Sequence, residues 1–169
     1  MYDFIFILGA QGSGKTTISK LLKEKLNSPY LDLDWIRGIH LNNDWSNISD
    51  SEEKMSIENF VFLLKNYVKH KYNNIIVCGF TPDNVEQIIN EKLNDYKSIV
   101  ITLTLNDDEV LKNRVLNESR DSGFRDYKES IKFNKMLRDE LSFSNEHKID
   151  NTNQTPEQSI KEIESILSQ

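Results

Sequence analysis

The stretch "FIFILGAQGSGKTT", Phe4 to Thr17, decides how the rest of the chain is read. Five uninterrupted apolar residues, Phe4–Leu8, read as a strand buried on both faces of a parallel sheet. The next eight residues, Gly9, Ala10, Gln11, Gly12, Ser13, Gly14, Lys15 and Thr16, form the pattern Gly-x-x-x-x-Gly-Lys-Thr, with Thr17 behind it. Glycines let backbone N–H groups approach phosphate oxygens without a Cβ in the way. A helix starting at the end of the turn adds free N–H donors and the positive end of its dipole. Lys15 is placed to carry charge to the β- and γ-phosphates, and the Thr16 hydroxyl to ligate Mg²⁺. A plain strand–turn–helix would need none of these residue types. By average residue usage the pattern arises by chance in about one chain in a hundred of this length. Here it also sits between a buried strand and an amphipathic helix, so it is assigned to phosphate binding.

Working outward, apolar blocks alternate with helical patterns to the end of the chain. Ile18, Leu21, Leu22 and Leu26 fall at helical spacing. "PYLDLD", Pro29–Asp34, reads as a second strand, and Trp35 to about Leu41 as a short helix. A long amphipathic helix is expected from Glu52 to about Tyr72, with Met55, Phe60, Leu63, Leu64, Tyr67 and Val68 on its apolar face. Asn74–Phe80 and Ser98–Leu105 read as buried strands. Between them a helix capped by Thr81 starts at Pro82 and carries Val85, Ile88, Ile89 and Leu93. Asn106–Asp107 can cap the helix after the fourth strand. A further helix runs to about Phe143, with Ile131, Leu137 and Leu141 as core candidates. His147–Asn151 is a short fifth strand. Thr155-Pro156-Glu157-Gln158 is a capping box with proline at the first helical position. Strictly alternating strands and helices predict one α/β domain over residues 1–169, a three-layer α-β-α sandwich around a parallel sheet. No internal repeat or second-domain boundary is visible.

Composition narrows the class. With a net charge of −6 the chain does not advertise a nucleic-acid-binding surface. Its single cysteine, Cys78, leaves no partner for an intramolecular disulfide and no multi-cysteine metal cluster. "FIFILGA" has Asp3 beside it and no positive flank, and it runs into a helix, so it does not read as a signal peptide. No stretch reaches transmembrane length. The expectation is a cytoplasmic protein without a membrane partner, a monomer or dimer, acting on a small molecule.

A phosphate loop alone fits several classes. A GTPase would show D-x-x-G and N-K-x-D; no aspartate here has glycine three positions on, and Asn134-Lys135 is followed by Met136-Leu137. The second strand is more telling. Read as a strand, "YLDLD" puts Asp32 and Asp34 on one face, at a carboxyl end where parallel sheets bind ligands. Two adjacent carboxylates repel, and are better tolerated beside a cation or a proton donor. In that role Asp32 holds a water on Mg²⁺ and Asp34 accepts the proton of an acceptor hydroxyl.

On these residues the chain resembles a known group. "GAQGSGKTTISKLLKEKLNSPYLDLD" is similar to the opening of the small P-loop kinases, in particular the shikimate and gluconate kinase branch. "NDDEVLKNRVLNESRDSGFRD" resembles their helix-plus-lid segment, and "IDNTNQTPEQSIKEI" their final strand and helix. The resemblance implies a five-stranded sheet of order 2-3-1-4-5 and transfer of the γ-phosphoryl group of ATP to a small acceptor. It further implies an acceptor-binding region over about 35–72 and a lid over about 117–127. By position Arg114 faces the adenine and Arg120 reaches the transferring phosphate from the lid, with Arg125 as a second lid candidate. Arginine suits that role because its N–H fork grips charge spread over phosphoryl oxygens.

The acceptor region departs from the shikimate kinases. They carry a glycine triplet after the third strand, whereas this chain has "CGFT", Cys78–Thr81, and "EEKMSIENF", Glu52–Phe60, has no arginine. Nucleoside-monophosphate kinases grip the acceptor phosphate with several arginines; between Asp34 and Tyr72 there is one, Arg37. Trp35, Trp45, Phe60 and Phe62 offer aromatic faces to a planar acceptor, or serve packing. Three readings stay open: a kinase acting on a small-molecule hydroxyl, a nucleoside or nucleotide kinase, and a regulatory nucleotide-binding protein. Donor choice between ATP and GTP is also open.

Overall fold

A computed structural model describes residues 1–41, 49–119, 122–140, 143 and 145–169. Five parallel strands form one sheet of order β2-β3-β1-β4-β5, as the resemblance implied. They are β1 (Phe4–Gly9), β2 (Tyr30–Asp32), β3 (Ile75–Cys78), β4 (Ser98–Thr104) and β5 (Glu146–Asp150). Between and after them lie α1 (Lys15–Leu26), α2 (Leu33–Leu41), α3 (Asp50–Lys69), α4 (Pro82–Gln87), α5 (Asp108–Leu116), α6 (Tyr127–Asp139) and α7 (Pro156–Leu167).

The unbroken apolar run of β1 is explained by its central place, paired with β3 on one side and β4 on the other. Its side chains alternate between two cores, as the period of a strand requires. Phe4, Phe6 and Leu8 pack with Phe60, Leu64 and Val85. Ile5 and Ile7 face the other way, with Ile18, Leu22, Ile160 and Ile163. Helices from both halves of the chain therefore clamp one strand, and the glycine loop leaves from the end of that strand. Three helices start where the sequence places a cap. Asp107 accepts from the Glu109 and Val110 N–H groups. Thr81 accepts from Asn84, and Thr155 and Gln158 form the reciprocal capping box.

Several expectations are corrected. The second strand stops at Asp32, and Asp34 lies in the first turn of α2 rather than on a strand face with Asp32. The alternation of "YLDLD" is strand-like, but Asp32 is also a good helix-starting residue: its Oδ1 accepts the Asp34 N–H at 3.1 Å and turns the chain. The buried Leu33 anchors that turn in the core. Met55 is 42% exposed and does not belong to the apolar face of α3. The helix after Pro82 gives way to one π-type turn at Ile88–Lys92, closed by the Leu93 N–H donating to Ile88 O. The sixth helix ends at Asp139, and Leu141 lies outside the described residues.

Candidate active site

The glycine loop connects β1 to α1 at the carboxyl end of the sheet. Gly12 has φ +88, and a Cβ there would stand 2.8 Å from Val115 Cγ2 of α5. The loop is thus pressed against α5, with its conformation restricted to glycine. Helix α1 opens at Gly14 with no side-chain cap, so no side chain competes for that terminus. Lys15 Nζ donates to Gly9 O at 2.6 Å and to Ala10 O at 3.0 Å, curling the ammonium over the loop. Ser13 Oγ is buried and has no hydrogen-bond partner among the described residues. A buried hydroxyl without a partner is costly. An anion in the loop would provide one. Ala10 is buried, Gln11 half-buried, and Thr16 and Thr17 exposed at the mouth of α1. Lysine, orphaned hydroxyl, uncapped helix start and exposed threonine together fit a nucleotide phosphate with its Mg²⁺.

A second loop, after β5, completes the cradle. Asn151, 5% exposed, donates from Nδ2 to Ser13 O at 2.7 Å and accepts from Ser159 Oγ of α7 at 2.7 Å. Arg114 on α5 donates to Thr152 O at 3.0 Å. Partial burial lowers its pKa. Arg114 therefore flanks this loop. Arg125 does not reach the phosphate loop: its guanidinium donates to Ser122 O at 2.5 Å and Phe124 O at 2.8 Å, folded onto its own segment. Arg120 and Trp45 lie outside the described residues.

On the other flank, Asp32 is gripped from two sides. Tyr30 donates its hydroxyl to Oδ2 at 2.9 Å, and the Asp34 N–H reaches Oδ1. Burial, followed by the charge of Asp34, raises the Asp32 pKa against the opposing pull of these hydrogen bonds and of Lys15. Burial also raises the Tyr30 hydroxyl, and the Cys78 thiol, 3.0 Å from Ser19 Oγ, is pushed up to about 12. Cys78 is buried in the apolar core with Ile7 and Ile18. Because Asp32 holds its proton more tightly folded than unfolded, the folded chain loses stability as pH rises above the ordinary carboxylate value of 3.8. That cost persists at neutral pH. Asp32→Asn is accordingly expected to melt at a higher temperature than the parent at about pH 8, with the gap closing near pH 4 in thermal melts.

Arg37 joins three elements. Its Nε donates to Glu53 Oε2 at 2.8 Å, and a terminal nitrogen makes a second, short bond to Glu53 Oε1. The other terminal nitrogen donates to Asp34 Oδ1 at 2.7 Å and Gly79 O at 2.9 Å. Burial opposes its charge, but Glu53 and Asp34 outweigh burial and raise the pKa. Gly79, at φ +89, lets the β3 end approach closely: a Cβ would lie 2.5 Å from Asp32 Oδ1 and 2.8 Å from the Leu33 nitrogen. Gly79→Ala is expected to cost about 3 kcal/mol in urea unfolding, from a left-handed backbone and a rigid clash. Of the aromatic candidates, Phe60 is core, Phe62 is 70% exposed, and Trp35 is 56% exposed with its ring edge-on to Tyr30.

Comparison with known proteins agrees with this layout. A family profile described as "AAA domain" matches residues 5–135. The chain belongs to the AAA domain family. A curated shikimate kinase from Azobacteroides pseudotrichonymphae is 31% identical over 80 residues, 46% of this chain and 47% of that enzyme. The chain thus matches about half the length of that relative. Among solved structures, a sugar kinase from Janibacter superposes with TM-score 0.71 at 16% identity, covering 98% of this chain and 94% of that one. Shikimate kinase from Aquifex aeolicus superposes with TM-score 0.63 at 19% identity, covering 98% and 96%. The fold is that of the small P-loop kinases. Among the described residues no helix is long and apolar enough to cross a membrane.

Tyr30, Glu53 and Asn151 join the site without a sequence signal that singles them out, whereas Arg37 is readable as the one arginine between Asp34 and Tyr72. Glu53 is hidden in the charge run "SEEK", and Asn151 in a strand end.

Proposed function

We propose that this chain is a phosphotransferase that moves the γ-phosphoryl group of ATP to a hydroxyl of a small acceptor, with Mg²⁺. The observation that carries the reading is the pairing of a phosphate cradle, with Lys15 and the orphaned Ser13 hydroxyl, with Asp32 at the adjoining strand end and Asp34 in the first turn of α2. Bound Mg²⁺·ATP would supply the electrophilic phosphorus and the neutralising metal charge.

The chain's own residues do the rest. The loop from Gly9 to Thr17 would hold the phosphates, Thr16 would offer its hydroxyl to Mg²⁺, and Asp32 would hold a water toward that ion. Arg114 flanks the nucleotide base. Asp34, 55% exposed and steadied by Arg37, receives the acceptor's hydroxyl proton as the new oxygen–phosphorus bond forms and ADP departs. Arg120 is the lid arginine in this reading, with Arg125 as the second candidate. Curated shikimate kinase relatives and sugar-kinase-like architecture support a small-molecule acceptor. The test is acceptor-stimulated ADP release across sugars, nucleosides, nucleotides and aminoglycosides. ATP binding without transfer to any of them would favour a regulatory nucleotide-binding role instead.

A further inference from the structure

We infer that the acceptor is a polyhydroxylated molecule with no carboxylate or phosphate group, because Glu53, Asp34 and the Gly79 carbonyl already occupy the one arginine of the acceptor side. This rests on the phosphotransferase reading and narrows it. A guanidinium offers five N–H donors, and four are taken: two by Glu53, one by Asp34 and one by Gly79 O. The Arg37 side chain is only 12% exposed, so an incoming anion finds neither an open fork nor an open face.

The charge around it points the same way. Asp34 and Glu53 are two carboxylates against the one guanidinium of Arg37, and Asp32 beside them is countered from the glycine loop by Lys15. Among the described side chains of α2 and the first five residues of α3, the other basic residue is Lys54, which is exposed. A carboxylate or phosphate on the acceptor would add a like charge beside these acids and beside the donor phosphates. A hydroxyl or an amine instead donates to them. The Asp34 oxygen not bonded to Arg37 lies on the exposed side chain, a ready acceptor for such a group. Specificity here comes from repulsion as much as from attraction.

The experiment uses matched pairs that differ in the anionic group: glucitol and gluconate, glucuronamide and glucuronate, methyl shikimate and shikimate. ADP release is followed with Mg²⁺·ATP and the full chain. In every pair that turns over, the member without the acid is expected to show kcat/KM at least about tenfold above its partner. An acid member equal or superior overturns the substrate class and leaves the phosphotransferase reading standing. No turnover with any member, with ATP binding intact, overturns that reading and the substrate class with it. Glu53→Gln, confirmed as folded by its thermal melt, frees one side of Arg37. It is expected to lower KM for the acid members about fivefold. An unchanged KM for those members overturns the role given to Arg37.

Discussion

Lys15→Ala is expected to lower phosphoryl transfer by about 10³-fold while leaving the melting transition close to that of the parent. Removing a charge aimed at the transferring phosphate costs transition-state stabilisation that no other side chain of the loop provides. Thr16 and Thr17 are neutral, and one terminal nitrogen of Arg125 is turned onto carbonyls of its own segment. The fold should survive because the lysine head lies over the loop on Gly9 O and Ala10 O rather than within either apolar core. Single-turnover measurement of ADP formation, alongside circular dichroism melts, checks both halves. Full activity in the variant would remove the loop from the reaction.

Asp34→Asn is expected to reduce kcat by about 10²-fold with ATP affinity within about twofold of the parent. In the proposed reaction the residue serves the acceptor; it lies in the first turn of α2, apart from the glycine loop. An amide accepts no proton at neutral pH, so the loss belongs in the chemical step. Its carbonyl can still accept from Arg37, which keeps the contact to Glu53 and Gly79 in place. Initial-rate kinetics with ATP and acceptor varied separately divides the effect between kcat and the two KM values. Weakened ATP binding with unchanged kcat would assign Asp34 to the donor side.

The sheet and the loop are legible in the sequence because each obeys local rules. A five-residue apolar run between turn signals suits a strand covered on both faces, and a glycine loop before an amphipathic helix has one well-understood use. Caps at Asp107 and Thr155 are readable for the same reason: they satisfy backbone groups within a few residues. The place of Asp34 is harder to read because two local signals compete in "YLDLD". Strand alternation and helix capping both suit an aspartate, and the burial of Leu33 settles the outcome in favour of the helix. Asn151 and Glu53 escape a reading of the sequence for a different reason. Each acts through a partner far along the chain, Ser13 across 138 positions and Arg37 across 16. Polar pairs of that kind leave no periodicity in a single sequence.

The bond from Asn151 to Ser13 has a consequence for how the protein comes into being. During synthesis the glycine loop leaves the ribosome well before β5, and its brace arrives with that strand and is itself fixed by Ser159. Until then the loop lacks the side chain that holds its Ser13 carbonyl. High nucleotide affinity should therefore appear only once the chain has been made through α7. A nascent chain arrested before β5 would carry the full phosphate-binding motif and still be a poor ligand for ATP.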